Sequence, residues 1–187
     1  MQPGPAGIPQ LPMNQSTPDD KIVFTTPWFQ ILDRRPPGMD QPYYAIQSSD
    51  VVVIVAVNAQ ERLLLVRQFR PAVNMMTLEL PAGHIEPGET PEDAARKELW
   101  EETGHEAGTL ELLTKVSPST ARFTNRLWCF FASHIKPGSR RDLTREAGVE
   151  FLAYEHPLTS LLEEKEFISA SSYAALFAAV LRGRLSI

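Results

Sequence analysis

The chain holds one cysteine, Cys129, so no disulfide can form within it. That residue stands in an apolar run, where a lone thiol behaves as a small hydrophobe. No stretch of about 18 unbroken apolar residues is present, which excludes a membrane-spanning helix from the reading. The N-terminus lacks an apolar signal core, and the expectation is a cytoplasmic protein with no membrane partner. Positive charge is in deficit as well: 18 Lys and Arg against 23 Asp and Glu leave a net charge of -5. That balance speaks against nucleic acid or an anionic membrane as the main partner. A phosphorylated ligand would need a local basic pocket, or metal ions, to offset the repulsion.

The rest of the composition is ordinary. Hydrophobic residues at 43% and charged residues at 22% of 187 suit one globular domain with a good core and room for appended elements. Pro3, Pro5, Pro9, Pro12 and Pro18 crowd the first 20 residues, which have little apolar periodicity and read as a flexible tail. Ile22 to Leu32 and Tyr43 to Gln47 are β-prone, with a turn at Arg34-Arg35-Pro36-Pro37-Gly38 between them. Residues 21–48 therefore read as a hairpin too short to fold alone, packed on the following domain (49–187) or on a second subunit.

Val51 to Val57 is a continuous apolar run, the mark of a strand buried on both faces. Leu63 to Phe69, Leu78 to Leu80, Leu110 to Val116, Arg126 to Ile135 and Glu150 to Tyr154 read as further strands. Leu158 to Glu166 and Ser172 to Arg182 read as helices by periodicity. Strands, a helix, strands and then helices make an α/β (α+β) fold, a mixed β-sheet between helices.

The densest signal runs from Gly83 to His105, GHIEPGETPEDAARKELWEETGH. Thr90 and Pro91 are a cap and a first helical residue, Glu92 and Asp93 suit the positive end of the dipole, and Gly104 suits a left-handed C-cap. The spacing predicts a helix over 91–103, about three and a half turns long. Glu98, Glu101 and Glu102 fall on one face of it. Two readings stand for that face: a solvated acidic surface, or oxygen ligands for a hard divalent cation such as Mg²⁺.

The full spacing is Gly83, five residues, Glu89, seven residues, then Lys97-Glu98-Leu99-Trp100-Glu101-Glu102-Thr103-Gly104. It resembles the Nudix box, the signature of hydrolases that cleave a nucleoside diphosphate linked to another group. Six of the seven letter-specific positions match. At roughly 7% usage per letter, six matches arise by chance at about one start in ten million. Lys97 stands where the family has Arg, which keeps the charge and loses the planar fork. His105 replaces an apolar residue and reads as ending the helix.

The resemblance extends from about Trp28 to the C-terminus. LLLVRQFRPAVNMMTLELPAGHIEPGE, and SPSTARFTNRLWCFFA with Pro118, are similar to the ADP-ribose pyrophosphatase branch of the family. The resemblance implies a Nudix-type α/β/α sandwich, two or three Mg²⁺ ions (Mn²⁺ as a substitute) and a homodimer whose N-terminal sheet reaches the partner's site. It implies Glu98 and Glu102 as principal metal ligands, with Glu101 close by and the Ala82 carbonyl as a further ligand. Glu79 would line the metal and diphosphate site, and Arg70 would hold the substrate's phosphates. Arg67, on the opposite side of an extended strand from Gln68, is a further substrate-binding candidate. Trp28 reads either as a stacking partner for adenine or as a core or interface residue.

The general base implied by the branch is a glutamate on a loop before the last strand, Glu146 or Glu150, with Glu146 preferred. Related enzymes use a box glutamate, Glu101 or Glu102. The implied reaction is hydrolysis of a nucleoside diphosphate sugar, ADP-ribose first. Other NDP-sugars, a dinucleotide, or a domain that senses a nucleotide without cleaving it are the alternatives.

Overall fold

The computed structural model describes residues 20–138 and 146–186. The tail read over 1–20 lies, except for Asp20, outside the described residues, as does Arg145. In chain order the elements are β1 (Lys21–Thr25), β2 (Gln30–Arg34), β3 (Tyr43–Gln47), β4 (Val51–Ala56), β5 (Leu63–Arg70), β6 (Met75–Glu79) and β7 (Ala82–His84). Then come α1 (Pro91–Thr103), β8 (His105–Glu106), β9 (Thr109–Val116), β10 (Leu127–Ser133), β11 (Lys136–Pro137) and β12 (Glu150–Tyr154). A 3-10 turn (Leu158–Leu162) and α2 (Ala170–Leu181) finish the described chain. No helix among the described residues is long and apolar enough to cross a membrane.

The apolar run of β4 is the centre of the molecule. Its sheet has the order β7-β4-β10-β9, with β4 parallel to β10 and the other two pairings antiparallel, so the sheet is mixed. A second sheet, β12-β5-β6, lies beside it. Side chains alternate along β4, as strand geometry requires. Val53 and Val55 join Leu65, Phe167, Ala175 and Ala179 in one core, under α2. Val52, Ile54 and Ala56 join Leu64, Ala94, Ala95 and Leu99 in the other, under α1. One strand thus faces two helices through its two sides, which is the expected α/β/α sandwich. Each fully buried Leu or Ile in these layers contributes about 1.5–3 kcal/mol.

Cys129 is fully buried in β10, and burial pushes its thiol up to about 11. It is the small hydrophobe the sequence suggested. Trp128 donates from Nε1 to Asp50 at 2.8 Å and lies under the Lys115 ammonium, a packing role.

Three features differ from the sequence reading. The N-terminal hairpin is a three-stranded meander, β1-β2-β3. Ile22 to Leu32 is broken at Thr26-Pro27-Trp28-Phe29, where the Thr26 hydroxyl accepts from the Trp28 and Phe29 N–H groups. A Thr-Pro pair that can close such a turn interrupts the β-prone run. Second, no α-helix forms over Leu158 to Glu166, where Leu158–Leu162 winds as 3-10 and the rest is irregular. Glu166 is drawn away by two long-range bonds, its carboxylate to Arg67 and its carbonyl to the Leu78 N–H. Third, Ala82–His84 is a strand on the edge of the central sheet, where Gly83, Pro87 and Gly88 read as a turn-rich loop.

The meander is tied to the β9–β10 loop. The Ile46 N–H donates to the Arg122 carbonyl at 2.7 Å, the Thr124 N–H donates to the Ile46 carbonyl at 3.0 Å, and the Tyr43 hydroxyl bonds the Ala121 carbonyl. Arg122 also lies over the Tyr43 ring. The loop carrying Pro118 therefore belongs to both the sandwich and the N-terminal sheet.

Candidate active site

Local chemistry sets α1 in place. Thr90 Oγ1 accepts from the Asp93 N–H at 3.1 Å, Pro91 opens the helix, and Gly104 closes it with a left-handed φ of 72°. Ahead of the helix, Glu89 holds the loop: its carboxylate accepts the Glu86 N–H at 3.1 Å and the Lys97 ammonium at 3.2 Å. Lys97 also lies 3.7 Å from Glu98. The shorter, one-pronged cation thus makes the loop-to-helix bridge that Arg would otherwise make.

The carboxylates of α1 point back toward β7. Glu102 is 2% exposed and accepts the Ala82 N–H at 2.9 Å. Glu98 is 9% exposed and lies against Gly83, where a Cβ would fall 2.1 Å from its carboxyl carbon. Only glycine permits that approach. Burial pushes the Glu98 carboxyl up to about 7, with the Lys97 charge opposing and Glu101, Glu146 and Glu89 adding to the rise. Burial likewise pushes Glu102 up to about 8, against the Ala82 bond and with help from Glu146 and Glu98.

Across from them, Arg70 grips Glu79 with both prongs, at 2.9 and 2.8 Å. Burial alone would raise the Glu79 carboxyl, but the Arg70 fork and the Thr77 hydroxyl at 2.7 Å hold it below its ordinary range. Glu102 and Glu146 in turn favour the Arg70 charge. Thr77 was missed as a site residue. Its signal was available, since positions two apart on a strand share a face.

The backbone brings Glu146 to α1, its N–H donating to the Glu101 carbonyl at 3.0 Å. The structure therefore gathers Glu79, Arg70, Glu98, Glu101, Glu102, Ala82 and Glu146. Arg67 is elsewhere. It projects from the other face of β5, forked to Glu166 at 2.7 and 2.9 Å and 3.5 Å from Glu150, which faces it across the β5–β12 pair. Trp28 lies in the β1–β2 turn and is 75% exposed. His105 ends the helix, its Nδ1 2.9 Å from the Thr103 carbonyl.

A profile of the NUDIX domain matches residues 48–176. The chain belongs to the Nudix family. Among relatives of this Nudix protein, the ADP-ribose pyrophosphatase of Bacillus subtilis is 28% identical over 143 residues, covering 75% of this chain and 77% of the relative. The ADP-sugar pyrophosphatase of Mus musculus is 31% identical over 141 residues, covering 72% of this chain and 65% of the mouse protein. A crystal structure of an ADP compounds hydrolase superposes with a TM-score of 0.71 over 92% of this chain and 98% of that one. Its identity is 24%, so it speaks for the fold alone. By family the chain is a hydrolase.

Among the described residues no three acidic, histidine or cysteine side chains converge as a preformed metal cage. The donor set nonetheless fits a hard cation. Two buried carboxylates four residues apart on this Nudix helix repel each other and are disfavoured by desolvation as anions, and a divalent ion would reverse both effects.

A pH dependence follows. Both carboxyls hold a proton more tightly folded than unfolded, so the folded chain binds more protons between their ordinary range and about pH 8. Stability then falls as pH rises through that window. Glu79, shifted downward, acts only below it. Thermal melts in EDTA are expected to drop from about pH 5 to about pH 8, and Mg²⁺ to restore the loss at the upper end. A flat profile in EDTA would contradict the assignment.

Proposed function

We propose that this Nudix protein hydrolyses the pyrophosphate bond of a nucleoside diphosphate joined to a sugar, with Mg²⁺, and that ADP-ribose is cleaved to AMP and ribose 5-phosphate. The observation that carries the reading is the opposition of the buried Glu98–Glu102 face to the Arg70–Glu79 fork. Carboxylates for a cation and a guanidinium for phosphate oxygens stand together, where a diphosphate needs both.

Glu98 and Glu102 would hold the metal, with Glu101 and the Ala82 carbonyl beside them, and a divalent ion there would offset the diphosphate charge and lower the pKa of a water. Arg70 orients the phosphates from the Glu79 side. Glu146, carried onto α1 by its own N–H, accepts the proton of the attacking water. The water oxygen bonds to one phosphorus, and the bridging oxygen leaves with the other phosphate in line.

The N-terminal meander supports a homodimer. Every residue of β1 is exposed, and Ile22, Val23, Phe24, Trp28 and Tyr44 present an apolar surface that a second copy would cover. In such a dimer Trp28 would stack on a base in the partner's site, while Arg67 serves the fold through Glu166.

The test is turnover across ADP-ribose, several NDP-sugars, NADH and a nucleoside triphosphate, with phosphatase added to release product phosphate. Mg²⁺-dependent cleavage of ADP-ribose, or of another NDP-sugar, is the expected result. Binding of ADP-ribose without turnover of any panel member would replace the reading with a ligand-sensing one.

A further inference from the structure

The last carbonyls of a helix have no partner within it and must be satisfied from outside. At the end of α1 the Glu146 N–H is one such partner, and the Gly138 N–H serves the capping Gly104. The Gly138 N–H donates to the Gly104 carbonyl at 2.8 Å, and the Glu146 N–H donates to the Glu101 carbonyl at 3.0 Å. Gly138 and Glu146 are thus both held at one stretch of helix terminus.

The upstream pin is specific in its residues. β11 pairs with β8 through Pro137↔His105 and Lys136↔Glu106, which delivers Gly138 to the indole of Trp100. A Cβ at Gly138 would lie 2.5 Å from both Cδ1 and Nε1 of that ring, and 3.1 Å from the Gly104 carbonyl oxygen. The φ of Gly138 is outside the left-handed region, so no backbone demand calls for glycine there. Contact with the indole does. Trp100 is 7% exposed, its Nε1 has no hydrogen-bond partner among the described residues, and it holds none of the seven letter-specific positions of the box.

We propose that Gly138 and Trp100 are positioning residues for Glu146. The seat of Gly138 on the indole sets the position of Trp100, and the carbonyl of the adjoining Glu101 accepts the Glu146 N–H. Together they hold Glu146 beside the Glu98–Glu102 face. This rests on the reading of Glu146 as proton acceptor, and the experiment separates the two.

Gly138→Ala is expected to lower kcat for ADP-ribose roughly 10- to 100-fold, the scale of a misplaced catalytic group, with KM within about twofold. Adding Trp100→Leu makes room for the new methyl group and should recover part of the loss. In a Glu146→Gln background Gly138→Ala should have no further effect, because the group it positions is already gone. An equal further loss in that background, or a wild-type kcat in Gly138→Ala, overturns the proposal. A wild-type rate in Glu146→Gln itself removes the proton acceptor, and the kinetic proposal goes with it. Amide hydrogen exchange, followed by NMR, needs no turnover. The Glu146 amide should exchange at least about tenfold faster in Gly138→Ala, and an unchanged rate overturns the positioning whatever the substrate.

Discussion

Glu102→Gln is expected to lower kcat by about 10³-fold while leaving the metal-free protein at least as stable as the wild type. The two halves have one origin. Glu102 is almost fully buried, and desolvation pushes its carboxyl up to about 8. Near neutral pH the fold therefore carries a cost for any negative charge it holds there. Glutamine keeps the shape and can still accept the Ala82 N–H, but it has no charge to offer a cation. Kinetics with Mg²⁺ and melts in EDTA measure the two effects separately. A large loss of stability in EDTA would mean that Glu102 serves the fold, and retained activity would remove it from the metal site.

Gly83→Ala is the second large effect. The new methyl carbon would stand 2.1 Å from the carboxyl carbon of Glu98 and 2.3 and 2.4 Å from its oxygens. Glu98 is packed among α1, Lys97 and β7 and has little room to retreat, so its carboxylate must leave the position facing Glu102. A fall in kcat of about 10²- to 10³-fold is expected, with about 1–3 kcal/mol of stability lost to overpacking. Gly88 is the internal control. It has a φ of +86° and open space around it, so alanine there strains only the backbone, by about 1–2 kcal/mol. Comparable kinetic damage at both glycines would remove the steric explanation.

The limits of α1 were readable residue by residue because every signal is local: Thr90 caps, Pro91 opens and Gly104 ends. β4 was readable for a similar reason, since an unbroken apolar run has few other places to go. The features that differ depend on partners far away in sequence. Nothing near Glu166 announces that Arg67 and the Leu78 N–H will pull it out of a helix. Arg67 and Arg70 are three apart, so alternation puts them on opposite faces of β5, but which face meets the α1 carboxylates is decided by β6. Thr26 and Pro27 were visible, and the β-prone residues around them concealed the turn they make.

The stitching of β3 to the β9–β10 loop bears on how much of this protein can be removed. The family profile begins at residue 48, one position after β3 ends, and stops at 176, partway along α2. A chain cut to that span would leave the 119–124 segment without Ile46 and Tyr43 to tether it. It would also strip Ala179 from beneath the sheet. In this protein the recognisable cassette is smaller than the packed unit it belongs to.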